Sequence, residues 1–393
     1  MATDIIRRPA RSSLWRNPTI RGIIFQVLFV TVVLTLIAFL VHNTVINLRR
    51  QNIASGFGFL DREAAFGIGE SLIAYSPADT YARAFLVGLL NTLYVAGLGI
   101  VLATILGTVM GIARLSRNWL ISKLAQIYVE SFRNIPLLLQ LFFWWGLLRE
   151  SAPPPRQAWQ PLLDVFVSNR GIAFALPSPD PAYGWMAVAF CVGVVAAIAI
   201  SRWARRRQAR TGDQFPTGSV GAGLVIGLPL AIFLACGAPL ALDRPEMKGF
   251  NFTGGHSVSP EFAALLIGLV VYTGTFIAEI VRAGILAVSS GQSEAAMALG
   301  LKPGQRMKLI VLPQALRVIV PPMTSQYLSL TKNSSLAVAI GYPDLVSIAN
   351  TTINQTGQAV EGIAMIMAVY LTISLIISAL MNFYNRAVAL VER

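Results

Sequence analysis

The sequence predicts an all-α integral membrane protein with eight transmembrane helices. Hydrophobic residues make up 55% of the 393 residues and charged residues 12%, whereas roughly a quarter of a soluble domain is charged. The mean hydropathy is +0.64. Eight segments are apolar over the length of about 20 residues that a helix needs to cross a bilayer.

The eight segments differ in how regular they are expected to be. They span residues 22–42, 86–113, 127–148, 183–201, 219–242, 261–283, 310–335 and 361–385. The first follows an Arg-rich tail, and we expect an uncleaved signal anchor because the run is long and has no small-residue cleavage site at its end. The seventh is expected to be a broken helix, because three prolines and Lys332 interrupt it.

Small residues at helical spacing predict where helices pack closely. Ala103, Gly107 and Gly111 form one such ridge in the second segment, and Gly223 and Gly227 form another in the fifth. Residues without bulky side chains allow helix backbones to approach each other. We therefore expect both ridges to lie against neighbouring helices.

The basic residues predict the orientation of the chain. Most Lys and Arg residues lie in segments that become cytosolic if the N-terminus is cytosolic, and the C-terminus is then cytosolic too. Residues 150–182, which are rich in Pro, Asp and Arg, become an external loop. The net charge of +13 follows from this topology and does not require nucleic-acid binding. The cluster Arg202–Arg210 is expected to lie beside anionic lipid headgroups.

The sequence lacks the motifs of catalysis. It contains no H-E-x-x-H, no G-x-S-x-G, no metal-spaced Cys/His set and no Walker A sequence. We therefore expect no enzymatic activity, no bound metal and no cofactor in this chain. Cys191 and Cys236 both fall within apolar runs, which favours free buried thiols over a disulfide.

Residues 294–313, EAAMALGLKPGQRMKLIVLP, carry the strongest local pattern. Ser293 is a favourable N-cap, and Glu294 in the first turn suits the positive end of a helix dipole. Gly300 fits the position that ends a helix, and Pro303 fits the first turn of the next one. The pattern predicts a short helix, a sharp turn and a second helix on the cytosolic side.

The spacing of this stretch resembles the EAA loop of permease subunits of ABC importers, which is EAA, three residues, Gly, nine residues and then I-x-L-P. The resemblance implies that the short helix docks into a cleft on a separate ATPase chain and couples its movement to transport. The coupling residues would be Glu294, Ala295, Ala296, Leu299, Gly300 and Leu301.

Further segments resemble permeases for polar amino acids. They are GLLNTL at 88–93, YVESFRNIPLLLQ at 128–140, AEIVR at 278–282 and SLTKNSSL at 329–336. The longer layout resembles the Q-type subunit of general L-amino-acid importers and the permeases of glutamate/glutamine/aspartate/asparagine importers.

The resemblance implies a type I ABC importer permease core in residues 85–390. A cytosolic tail, an extra helix and a periplasmic loop would precede it in residues 1–84. Residues 150–260 would insert two further helices, and residues 289–310 would form the cytosolic coupling loop.

The resemblance also implies the partners. They are a second permease subunit (a paralogue or a second copy), two ATPase subunits that bind the ATP, a periplasmic amino-acid-binding protein, the amino-acid substrate and membrane lipid. The location would be the bacterial inner membrane.

Ionisable groups at membrane depth are costly and are therefore candidates for the substrate path. Glu279 suits the ammonium of an amino acid and Lys332 its carboxylate, although Glu279 is equally suited to pairing with Arg282 three residues later. The other candidates are polar: Asn333 and Ser334 beside Lys332, and more weakly Asn91 and Gln326.

An ion-coupled secondary amino-acid transporter is the alternative. Such a carrier would explain a broken helix and buried charges. It would not explain the EAA spacing, and no duplicated half is evident in the sequence.

Overall fold

A computed structural model describes residues 18–51 and 55–388, and these residues are mostly helical. The first part of the predicted cytosolic tail and the end of the chain lie outside the described residues. The helices are α1 (Pro18–Arg50), α2 (Tyr81–Arg114), α3 (Trp119–Asn134), α4 (Leu137–Gly146), α5 (Pro181–Thr211), α6 (Thr217–Ala222), α7 (Leu228–Ala235), α8 (Pro260–Leu286), α9 (Ser290–Ala298), α10 (Pro303–Arg306), α11 (Leu312–Asn333), α12 (Leu345–Thr356) and α13 (Ala359–Val388).

Six apolar helical stretches of the described chain are long enough to cross a membrane. They are α1, α2, α5, the stretch from α6 through α7, α8 and α13. A seventh span arises if the long helix of residues 303–340 is counted together with α12, which follows it at a bend of 51°. The prediction of an all-α membrane protein is confirmed. The predicted count of eight spans is not confirmed, and the third predicted span is not one helix.

The third span is broken at Pro136, between α3 and α4. Ile135 is extended (φ −91°, ψ 126°), because the proline ring disfavours a helical residue before it. The Gln140 side chain repairs part of the break by donating to the carbonyls of Phe132 and Ile135 at 2.8 and 3.0 Å. A polar side chain that satisfies freed backbone groups makes such a break tolerable in a membrane.

The seventh predicted span differs in the position of its break. The helix continues through Pro313, Pro321 and Pro322, with a π turn at Met307–Val311 and a 3-10 segment at Ser334–Ile340. The bend comes later, between Ile340 and Leu345. Pro313 has no backbone N–H and cannot make the regular helical hydrogen bond. The wider π turn directly before it allows the helix to continue without that bond.

Helices α2 and α8 form the centre of the core, with α11 packed beside them. Atoms of Ile277 and Val281 lie only 2.6–2.9 Å from where a Cβ would stand on Gly107 and Gly111. Ala103, in the same ridge, is fully buried. The ridge predicted in the second segment is therefore a helix–helix contact, as expected.

Helices α5, α6 and α7 form a hairpin beyond the core. The predicted ridge at Gly223 and Gly227 is wrong, because a Cβ on either would meet nothing within 4 Å. The close approach is made instead by Gly193 of α5, which lies against the carbonyl of Leu224.

Cys191 and Cys236 are free, but both side chains are exposed on the isolated chain and not buried as predicted.

Two segments predicted to be outer loops fold into a small β layer. The strands are β1 (Trp159–Leu162), β2 (Val165–Ser168), β3 (Gly171–Phe174), β4 (Leu176–Pro177), β5 (Leu242–Asp243), β6 (Glu246–Lys248), β7 (Asn251–Thr253) and β8 (His256–Val258). The first three strands and β8 form an antiparallel sheet in the order β1-β2-β3-β8. Pairing of β3 with β8 joins the two ends of the insertion directly before α8 begins.

Candidate functional site

Helix α9 follows the C-terminal end of α8 and contains three of the predicted coupling residues, Glu294, Ala295 and Ala296; the other three, Leu299, Gly300 and Leu301, come directly after it. It begins at Ser290 with Ser289 in the N-cap position, so the predicted N-cap at Ser293 is wrong. Glu294 consequently lies in the second turn of the helix. The helix starts earlier because only Ala287 to Ser289 separate it from α8, and the backbone of Ser289 is already extended (φ −54°, ψ 136°).

The end of α9 is closed by a Schellman motif. The Gly300 N–H donates to the Met297 carbonyl at 2.9 Å, and the Leu301 N–H donates to the Ala296 carbonyl at 3.1 Å. Gly300 has φ +75°, a left-handed conformation that side chains disfavour. The predicted helix-ending role of Gly300 is confirmed.

The α9 helix presents one buried contact and a broad exposed surface. Ala296 is 3% exposed and fixes the helix to the rest of the chain. Glu294 and Ala295 are exposed, and Leu299 is 82% exposed. Met297, which sequence reasoning missed, is 53% exposed and is a second exposed apolar side chain in this segment, two residues before Leu299. Met297 could have been predicted as part of this segment, because it directly follows Glu294-Ala295-Ala296 in the EAA spacing.

Helix α10 follows after one turn and leads back into the core. Pro303 occupies its first turn, as predicted, and the backbone N–H of Lys302 donates to Gln305 Oε1 at 3.0 Å. The π turn then continues into α11. The short α9 helix is therefore held between the ends of two long helices of the core.

A cluster of charges connects the C-terminal parts of α2 and α8 with α3. Glu279 accepts hydrogen bonds from Arg114 and from Arg282. Arg114 also lies 3.8 Å from the Glu130 carboxylate of α3. The structure thus places Glu279 in an ion-pair cluster, which is the structural alternative that its spacing to Arg282 indicated.

Lys332 lies in the last turn of α11 and is exposed on the isolated chain. In the part of the chain that the structure describes, its ammonium has no hydrogen-bond or ion-pair partner. The hydroxyls of Ser334 and Ser335 donate to the carbonyls of Thr331 and Lys332, both at 2.7 Å. Asn333 is half-buried beside them.

Lys332 and Glu279 are not brought together. Leu330 lies opposite Gly99 of α2, and Ala278 lies opposite Gly111. The helix between these glycines rises about 18 Å, at about 1.5 Å per residue. One α-amino acid cannot contact both side chains at once, because its ammonium and carboxylate are much closer together than that.

Asn91 and Gln326 have different surroundings. Asn91 is buried, and its amide donates to the carbonyls of Glu70 and Pro343, both at 2.9 Å. It connects an outer loop to the segment before α12. Gln326 is half-buried in α11, and no hydrogen bond of its side chain occurs among the described residues.

A bundle of apolar helices long enough to cross a membrane, with the short, end-capped α9 helix between two of them, defines a multi-pass membrane protein. Residues 99–390 match the family described as "Binding-protein-dependent transport system inner membrane component". The chain belongs to this family, and the predicted resemblance is confirmed.

Three relatives match nearly the whole chain. The general L-amino acid transport system permease protein AapQ of Rhizobium johnstonii is 50% identical over 98% of this chain and 96% of its own length. The putative amino-acid ABC transporter permease protein YhdX of Escherichia coli K12 is 53% identical over 98% and 99%. The glutamate/glutamine/aspartate/asparagine transport system permease protein BztB of Rhodobacter capsulatus is 42% identical over 97% of each chain.

The family is named as an inner membrane component, which agrees with the predicted inner-membrane location. All three relatives are permease proteins of transport systems. The comparisons therefore favour the ABC importer interpretation over the ion-coupled secondary transporter.

Proposed function

We propose that this chain is the permease subunit of an ATP-driven importer of L-amino acids and that it couples to a separate ATPase through α9. The exposed, end-capped α9 helix carries the proposal. Leu299 and Met297 provide an apolar contact surface, while Glu294 supplies a charge for pairing. Apolar side chains surrounded by polar ones are typical of protein interfaces.

The assembly would contain a second permease subunit, two ATPase subunits and a periplasmic amino-acid-binding protein. Both termini would be cytosolic. The names of AapQ and BztB support amino-acid substrates, from a general range to glutamate, glutamine, aspartate and asparagine. ATP would be bound by the partner subunits.

The substrate path would run beside Lys332, Asn333, Ser334 and Gln326. An exposed, unpaired lysine at membrane depth on a single chain suits a surface that a second permease subunit completes. The ammonium would attract the carboxylate that all α-amino acids share. Asn91 and Glu279 remain candidates for the path, although each already has protein partners.

The test is reconstitution of the complex in proteoliposomes. Substrate uptake should require the binding protein and should stop when ATP is replaced by a non-hydrolysable analogue. The double change Met297→Ser/Leu299→Ser should release the ATPase during purification, while Leu286→Ser, an exposed leucine that lies before the predicted coupling loop of residues 289–310, should retain it. Uptake driven by an ion gradient without ATP would refute the proposal and favour a secondary transporter.

A further inference from the structure

The outer face of the core contains a cavity of about 740 Å³, here called the outer vestibule. Its walls come from the segment 66–70, the start of α8, the start of α12 and the insertion. Four of its lining residues are charged: Glu70, Arg149, Arg170 and Glu261. Its volume falls within the range of about 300–1,000 Å³ typical of small-molecule sites.

The two arginines of the outer vestibule have no protein partner for their guanidinium groups within residues 18–51 and 55–388. Four other arginines of the same outer region do have partners. These pairs are Arg62 with Gln358, Arg83 with Asp79, Arg156 with Phe250, and Arg244 with Asp164. Arg149 and Arg170 therefore line one cavity with guanidinium groups that are free to bind a ligand there.

The carboxylates of Glu70 and Glu261 each accept one hydrogen bond from the protein, through a single oxygen. Glu70 Oε1 accepts from the backbone N–H of Ser259 at 2.7 Å, and Glu261 Oε1 accepts from the indole N–H of Trp145 at 3.2 Å. No hydrogen bond to the second oxygen, Oε2, of either carboxylate occurs in the described part of the chain. The anions are thus positioned while still able to accept from a ligand.

Glu70 also connects the outer vestibule to the helical core. Its backbone carbonyl accepts from the Asn91 amide of α2 at 2.9 Å. A second cavity of about 310 Å³ shares Gly69 and Glu70 with the outer vestibule and reaches Asn91 and Tyr342. A ligand in the outer vestibule would lie directly outside the core helices.

We propose that the outer vestibule is a transit site for zwitterionic α-amino acids. Arg149 and Arg170 would bind the carboxylate, and Glu70 and Glu261 would bind the ammonium. Hydrogen bonds between ionised groups are stronger than neutral ones, and both signs of charge lie on one cavity. This inference rests on the proposed function and adds a site that receives substrate before it enters the membrane.

The test measures amino acid transported per ATP hydrolysed in proteoliposomes that contain the complete complex. L-Glutamine is the probe, supplied with increasing amounts of its loaded binding protein. Arg149→Gln/Arg170→Gln removes both cations, and Arg149→Lys/Arg170→Lys retains the charge. Arg244→Gln is the matched control, since it removes an outer arginine that is paired with Asp164.

The Gln double variant should transport about tenfold less glutamine per ATP, the equivalent of about 1.4 kcal/mol. Substrate released into a vestibule without cations would escape before it enters the core. The concentration of binding protein at half-maximal ATPase activity should be unchanged, the Lys double variant should retain most transport, and Arg244→Gln should resemble the wild type.

Two outcomes would overturn the site. An unchanged transport ratio in the Gln double variant would show that the cations do not act on substrate. A raised half-maximal concentration of binding protein, with the transport ratio unchanged, would mean that the arginines contact the binding protein instead. If the wild-type complex shows no ATP-dependent uptake, the proposed function itself fails, which is a separate result.

Discussion

Arg114, in the last turn of α2, donates to the Glu279 carboxylate of α8, and this pair joins the two central helices. Glu279 lies two turns before the end of α8, from which α9 projects. The side chain of Arg114 is only 13% exposed and that of Glu279 29% exposed. A partly buried ion pair at this position fixes the end of α8 from which α9 continues.

Glu279→Gln should destabilise the complex. The change removes the negative charge that faces two guanidinium groups, and loss of one such charged partner costs about 1–3 kcal/mol. Thermal unfolding of the purified complex measures the effect. The control is Glu130→Gln. Glu130 is 55% exposed, and its carboxylate is as far as 3.8 Å from the Arg114 guanidinium; a long, exposed ion pair of this kind contributes little to stability. Normal thermal stability with abolished uptake would instead place Glu279 in the substrate path.

Gly300→Ala should weaken the coupling of ATP hydrolysis to uptake. A Cβ at this position meets no atom within 4 Å, so the cost comes from the left-handed backbone alone. That cost is about 1–2 kcal/mol. The measurement is the ratio of uptake to ATP hydrolysis. Gly304→Ala is the control, because that glycine is equally open but does not have a positive φ. Equal ratios in both variants would contradict the prediction.

Lys332→Met should strongly reduce uptake of all amino-acid substrates, by roughly tenfold or more if a charged hydrogen bond of about 1.5–3 kcal/mol is lost. Assembly and basal ATPase activity should remain, since the ammonium has no partner among the described residues. Initial uptake rates of glutamate, glutamine and leucine measure the effect, with Lys332→Arg as the charge-retaining control. A failure to assemble would show that Lys332 contacts a partner subunit.

Single cysteines should report the orientation of the insertion. In a background without Cys191 and Cys236, Ser151→Cys should react with an impermeant thiol reagent in intact cells, and Ser219→Cys should not. Both serines are exposed. Ser168 is unsuitable for this purpose, because it is buried in β2 at 3% exposure. The reverse labelling pattern would invert the proposed topology.

The sequence predicted best those features that are set by local chemistry. Gly300 and Pro303 occupy their predicted positions because helix ends depend on backbone preferences that single residues express. The ridge at Gly107 and Gly111 was also predicted, since close helix packing requires small residues. Hydropathy located most of the apolar helices, because the length of an apolar run is also a local property of the sequence.

Features that depend on distant partners were not predictable. Gly223 and Gly227 show the same small-residue pattern as α2, yet within the described residues α5 approaches this segment at Leu224 and not at either glycine. The strands of the β layer are only two to four residues long, and β3 pairs with β8 across more than 80 residues of sequence. Short strands with such distant partners leave no periodic signal. The role of Lys332 also depends on partner chains and remains a prediction.

The pairing of β3 with β8 has a consequence for how the chain is organised. Phe174 and His256 are directly paired across the two strands, so the chain leaves and rejoins the core region at neighbouring points. Paired residues of antiparallel strands lie about 5 Å apart, a gap that a tight two-residue turn can bridge. We therefore expect residues 175–255, which include the α5–α7 hairpin, to be removable, so a shortened chain that replaces them with Asn-Gly should still form the α2–α8 core.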